Sequence, residues 1–282
     1  MRVLILGAGG QVGRALTAAR PDAVALTRAQ LDVADPGQLD WAAFDVVVNA
    51  AGYTDVDGAE TAQGRADAWR VNAGGPAALA ALARSHGFTL VHLSSEYVFD
   101  GSRPGPIPES APVAPLGAYG ASKAAGDLAV AGVERHYLLR PTWVIGDGRN
   151  FVRTMLGLAA RGVEPTVVAD QVGRPTFAAD IADAVGHLLH TDAPYGTYHL
   201  TGGGAPASWA EVARAVYALA GHAELRVTDT STEAYFAGKP QAARRPLNSV
   251  LDLTRVESAG VRVPDWRERL AEYVRGEALR AS

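Results

Sequence analysis

The chain has 282 residues, 48% of them hydrophobic, enough to bury a sizeable core as one large domain or two unequal ones. A formal net charge of −4, with no long basic run, disfavours nucleic acid or an anionic membrane as a partner. The absence of cysteine excludes disulfides, thiolate catalysis and cysteine metal sites.

The N-terminus, Met1-Arg-Val-Leu-Ile-Leu, reads straight into a strand with no room for a signal peptide. No apolar stretch reaches the roughly 20 residues of a membrane span, so a soluble cytoplasmic enzyme is expected. Val3 to Leu6, Ala23 to Leu26, Val46 to Val48 and Thr89 to Leu93 read as buried strands. Segments at helical spacing separate them, most clearly from Ala73 to Arg84. That alternation predicts an α/β fold, a Rossmann-type doubly wound parallel sheet with right-handed crossovers. After Arg140 the rhythm loosens, and Ser208 with Glu211 reads as a capping box opening a helix to about Ala220. The expected organisation is a dinucleotide-binding core over 1–142, with a return segment near 177–200. Residues 143–176 and 201–282 then form a smaller, interleaved substrate-binding region.

Candidate chemistry follows the strands. Gly7-Ala-Gly9-Gly10-Gln11-Val12-Gly13 stands directly after the first strand and opens a helix. Its glycines permit a sharp turn and close approach to a pyrophosphate, although such turns also serve packing. The second strand ends Ala25-Leu26-Thr27-Arg28, without the acid that holds the ribose 2′-hydroxyl of NAD. Arg28 therefore points to NADPH over NADH, the alternative being an ordinary surface arginine. Asp32 and Val33 are placed to reach the adenine, or to form a turn. At the ends of the third and fourth strands, Asn49 to Thr54 and Leu93 to Phe99 fall where ligands of open α/β sheets bind. Ser95 could donate a hydrogen bond to a carbonyl oxygen, or simply cap a turn.

The chain has two lysines against twenty-four arginines, and one lysine closes Tyr119-Gly-Ala-Ser-Lys123. Residues i and i+4 share a helix face. A cation beside a phenol is expected to lower its pKa from roughly 10, which suits proton transfer in ketone–alcohol chemistry. Trp143 could pack on a sugar or fill the core, and the same choice holds for Tyr97. Asn72 either holds the loop near Lys123 or starts a helix. Arg244 and Arg245 form a pair suited to bidentate diphosphate recognition, or a solvated basic pair. No spaced His or carboxylate set suggests a metal site.

Together these residues resemble the extended short-chain dehydrogenase/reductases, and within them the dTDP-4-dehydrorhamnose reductase family. The narrower resemblance rests on Val48-Asn-Ala-Ala-Gly-Tyr-Thr-Asp-Val-Asp-Gly-Ala-Glu60, Ser95-Glu-Tyr-Val-Phe-Asp-Gly101 and Leu139-Arg-Pro-Thr-Trp-Val144. It rests equally on Asn150-Phe-Val-Arg-Thr-Met-Leu156, Asp170-Gln-Val-Gly-Arg-Pro-Thr176 and Ala243-Arg-Arg-Pro-Leu-Asn-Ser249. The resemblance implies NAD(P)H-dependent reduction of the C4 ketone of dTDP-4-dehydro-L-rhamnose. It implies Tyr119 as proton donor, Lys123 on the nicotinamide ribose, and Ser95, where threonine is common, on the carbonyl. Gly10, Gln11, Val12, Gly52, Tyr53 and Thr54 match cofactor contacts, while Ser95, Glu96 and Trp143 match sugar contacts. Glu96 stands where aspartate is usual, and Gly52 where alanine is usual. Some relatives use magnesium at a dimer contact; no ligands for it are apparent here, and a homodimer is the assembly the resemblance allows. Two other readings stay open: a reductase or epimerase of another nucleotide-4-ketosugar, and a non-catalytic subunit like the beta subunit of methionine adenosyltransferase.

Overall fold

The computed structural model describes residues 1–37, 39–239 and 241–281. Val3–Leu6 (β1) is apolar and buried at all four positions, as a strand covered by helices on both faces must be. Gln11–Ala19 (α1), Val24–Leu26 (β2) and Val46–Asn49 (β3) follow. Next come Ala62–Trp69 (α2), Gly75–His86 (α3), Thr89–Leu93 (β4), Ala118–Ala131 (α4) and His136–Arg140 (β5). The remaining strands are Val144–Ile145 (β6), Thr166–Val168 (β7), Val172–Gly173 (β8), Thr176–Phe177 (β9), Gly196–His199 (β10), Ala207–Ser208 (β11) and Thr228–Thr230 (β12). The remaining helices are Phe151–Ala159 (α5), Ala178–His190 (α6), Trp209–Leu219 (α7), Thr232–Phe236 (α8), Thr254–Ser258 (α9) and Trp266–Ala281 (α10).

Six strands form one parallel sheet in the order β10-β5-β4-β3-β1-β2. The chain runs outward from β1 to β2 and then returns across β1 to β3. This reversal is a topological switch point, and the crevice outside the carboxyl ends of the strands there is where such sheets bind ligands. One face of the sheet packs Ile5, Val48, Val91 and Leu139 against α6 residues such as Ile181 and Val185. The opposite face packs Leu4, Val47 and Leu90 against Leu79 of α3 and Val130 of α4. A further core, with Val152, Met155, Val212, Tyr217, Trp266 and Leu270, joins α5, α7 and α10. Between the two stretches that build it, β9, α6 and β10 return the chain to the sheet, where β10 pairs with β5.

Strand limits differ from the sequence expectation by a residue, with β2 starting at Val24 and β3 reaching Asn49. The helix expected at Ala73 begins at Gly75, because a π turn over Arg70–Gly74 joins α2 to α3 and carries the buried Asn72. Pro76 falls in the first turn of α3, directly after the π turn. The capping box at α7 is present: the Ser208 hydroxyl accepts from the Glu211 N–H, and the Glu211 carboxylate accepts from the Ser208 N–H. Among the described residues no helix is long and apolar enough to cross a membrane.

Candidate active site

The turn from β1 into α1 is built by two glycines. Gly7 has φ +80°, and a Cβ there would meet the Ala51 backbone at 2.5 Å. A Cβ on Gly13 would stand 2.1 Å from the Gly7 carbonyl oxygen, so Gly13 serves the close packing of α1 on the loop and lines neither cavity. Helix α1 starts at Gly10 without a side-chain cap and without an acid in its first turn. Its N-terminal N–H groups and the positive end of its dipole therefore suit an anion from outside the chain. A dinucleotide pyrophosphate fits this cradle.

A pocket of about 220 Å³ runs from this turn along β2 and is lined by Gly7, Gly10, Arg28, Asp32, Val33, Gly52 and Tyr53. Asp32 accepts hydrogen bonds from the Ala34 N–H at 3.0 Å and the Arg70 guanidinium at 2.7 Å. These bonds, the Ala34 N–H first, hold its carboxyl below the usual aspartate range. Asp32 thus braces the loop after β2 against the π turn. Val33 is buried against Gly75 in the same contact.

A larger cleft of about 750 Å³ adjoins that pocket. Gly10, Gln11, Val12, Gly52, Thr54, Ser95, Glu96, Tyr97, Tyr119, Lys123 and Trp143 all line it. Asn72 is buried behind the lining residues: its side chain accepts from the Tyr53 N–H at 2.9 Å and donates to the Tyr53 carbonyl and the Ser122 hydroxyl. One buried amide thereby fastens the loop after β3 to the helix carrying Tyr119 and Lys123. Glu60 holds the start of that helix by accepting from the Ala118 N–H at 2.8 Å, an acid placed at the positive end of a helix.

Lys123 is buried, and its ammonium donates to the Leu93 carbonyl at 2.6 Å. Burial pulls its pKa down to about 8, with Asp127 one turn on resisting the change. The expected lowering of the Tyr119 pKa is not found. Burial of the phenol and then the nearby Glu96 charge push it above its ordinary value, with only a Ser95 hydrogen bond among the principal causes opposing them. The shared helix face brings the two side chains to one cleft, but it does not outweigh desolvation.

Ser95 combines its two anticipated roles. It caps the short turn Glu96–Val98 by accepting from the Tyr97 N–H, and it lines the cleft. Its own proton goes to Glu96 Oε2 at 2.7 Å. The Tyr97 ring meets Tyr119 edge-on, with centroids 5.3 Å apart.

Trp143 has φ +44°, a backbone region that a bulky side chain enters only when its surroundings hold it there. Its indole stacks on Trp209 at 3.9 Å, and Gly173 leaves room on it where a Cβ would stand 3.0 Å from the ring. Trp209 also lines the cleft and was missed from sequence. The signal available was its place as first residue of a helix whose cap was legible. Arg14, Asp147 and Arg149 at the cleft wall were missed as well. Asp147 accepts from Arg14 and Arg153, and the Gln11 side chain accepts from the Gly146 N–H at 2.8 Å, tying the glycine turn to the loop after β6.

Arg244 and Arg245 lie outside the lining of both cavities. Arg244 is exposed. Arg245 donates to both carboxylate oxygens of Asp57 at 2.8 Å and stacks over Phe236. Among the described residues no group of three or more His, Asp or Glu could hold a metal ion.

Residues 1–278 match the family described as the RmlD substrate binding domain. The chain belongs to that family. A dTDP-4-dehydrorhamnose reductase of Burkholderia thailandensis is 41% identical over 300 residues, covering 98% of both chains. The crystal structure of a dTDP-4-dehydrorhamnose reductase from Clostridium acetobutylicum superposes with a TM-score of 0.89 at 36% identity, covering 97% of this chain and 98% of that one. The enzyme of that name from Bacillus anthracis, solved in complex with NADP, gives 0.86 at 34% identity over 96% of each chain. The family spans nearly the whole chain, so both the sheet and the C-terminal region belong to the shared architecture.

Proposed function

We propose that this protein reduces the C4 ketone of dTDP-4-dehydro-L-rhamnose to dTDP-L-rhamnose with NADPH. The observation that carries the reading is the convergence of Ser95, Tyr119 and Lys123 in one cleft with the uncapped glycine turn at the N-terminus of α1. The relatives' names supply the substrate, and the NADP bound to the Bacillus anthracis enzyme supports the cofactor. Gly7, Gly10, Gln11, Val12, Gly52, Tyr53 and Thr54 would hold the dinucleotide, with Asp32 and Val33 beside the adenine. When bound, the reduced nicotinamide supplies the hydride.

The chain's own residues govern the proton and the oxyanion. Tyr119 donates its phenolic proton to the oxygen at C4 as negative charge develops there, and its raised pKa keeps that proton in place until then. Ser95 lies beside it to hydrogen-bond the same oxygen. Lys123, with a pKa of about 8, remains largely cationic at neutral pH and favours the anionic side of the transfer. Trp143 and Trp209 form an aromatic wall for the deoxysugar. Consumption of NADPH on addition of the ketosugar tests the reading; turnover is expected, and its absence from folded, NADPH-binding protein contradicts it.

Arg28 opens onto the pocket along β2, where a ribose 2′-phosphate would lie. We expect kcat/KM to favour NADPH over NADH by about tenfold or more, and Arg28→Ala to remove most of that preference, one charged contact amounting to about 1.5–3 kcal/mol. Equal efficiencies in the unaltered protein would eliminate this role for Arg28.

A further inference from the structure

The hydroxyl of Ser95 has a single proton, and with Glu96 ionised the 2.7 Å contact between the serine oxygen and Glu96 Oε2 requires that proton to lie on the carboxylate. The Ser95 oxygen also accepts from the Tyr97 N–H at 3.2 Å. In this arrangement Ser95 has no proton left to donate to a ketone oxygen. The pattern reverses if the Glu96 carboxyl carries a proton of its own, because the carboxyl then donates to Ser95 and the serine proton is released towards the cleft.

We propose that Glu96 is a positioning residue whose carboxyl must be protonated in the productive state, so that Ser95 can donate to the substrate's ketone oxygen. The inference rests on the ketone reduction proposed above.

The surroundings of Glu96 favour the neutral acid. The side chain is 4% exposed, on the short turn after β4. Tyr119 from α4 and Tyr97 from its own turn present phenols, and Glu96's charge raises the pKa of both. The Ser95 hydroxyl and the backbone N–H groups of Glu96 and Trp143 favour the carboxylate. No ion pair to Glu96 is found among the described residues; Lys123 in the same cleft donates to the Leu93 carbonyl, and Arg14 pairs with Asp147. Desolvation outweighs the hydrogen bonds and pushes the carboxyl up to about 7. Protonation is complete well below that pH and is lost as pH rises through it, so the serine proton becomes unavailable in the same window.

The test uses the full-length protein saturated with NADPH. For wild type, kcat/KM for the ketosugar is expected to fall about tenfold per pH unit above about 7. Glu96→Gln presents an amide N–H to Ser95 at every pH, so its falling limb should move up to about 8, where Lys123 titrates. A falling limb in Glu96→Gln at the wild-type pH would overturn the proposal. A second measurement needs no turnover: carbon-13 NMR of glutamate-labelled protein, with Glu96 assigned by its loss in Glu96→Gln. A Glu96 midpoint near 7 supports the proposal, and a midpoint below about 5 refutes it. Absence of ketosugar turnover in wild type, by contrast, would refute the underlying reductase reading while leaving this titration readable.

Discussion

Tyr119→Phe should lower kcat by about 10²–10⁴-fold, the usual contribution of a positioned general acid, equivalent to about 3–5 kcal/mol of transition-state stabilisation. The substitution removes one buried oxygen and retains the ring that meets Tyr97 edge-on, so the fold should persist. The phenol is buried, lines the cleft and has the Ser95 hydroxyl nearby. Water therefore cannot readily substitute for it, which argues for the upper part of the range. Steady-state kinetics with a circular dichroism control checks this, and a kcat within about threefold of wild type would remove Tyr119 from the proton-transfer step.

Asp127→Asn should destabilise the protein by about 3–5 kcal/mol, the cost of leaving one member of a buried ion pair unpaired. Asp127 and Arg140 face each other at 2.9 Å with side chains only 3% and 7% exposed. Burial raises the Asp127 pKa despite the attraction of Arg140, so desolvation of the carboxylate exceeds what the pair returns. Because the folded-state value is raised, this group's contribution is fully present below its unfolded pKa and is lost as pH rises through the folded one. It follows that replacing both members, as Asp127→Leu with Arg140→Met, should recover most of the loss. Urea denaturation of the single and double variants decides the matter, and a single variant within about 1 kcal/mol of wild type would contradict it. The pair's location gives it a functional bearing, since Asp127 stands one turn after Lys123 and supports its positive charge.

The sheet was legible because its determinants are local. Val3 to Leu6 is a short apolar run closed by a glycine turn, and Ser208 with Glu211 marks a helix start through bonds spanning three residues. Tyr119 and Lys123 were likewise legible, since i,i+4 spacing places both on one helix face. What sequence could not supply were partners brought together by the fold. Asn72 reaches Ser122, Trp143 finds Trp209, and Arg245 pairs with Asp57 across 188 positions. The direction of the Tyr119 pKa failed for a related reason. Spacing reports which groups are near, whereas desolvation depends on how deeply the assembled cleft buries them.

The same distinction separates the reaction from its substrate. In the proposed mechanism Ser95, Tyr119 and Lys123 would serve ketone reduction of any sugar presented in the right pose, while the configuration formed at C4 depends on which face of the sugar meets the nicotinamide. Proton NMR of the product from dTDP-4-dehydro-L-rhamnose and NADPH deuterated at its transferable position tests this most directly. dTDP-L-rhamnose with deuterium at C4 is expected; the C4 epimer, or deuterium at any other carbon, would contradict the proposed reduction.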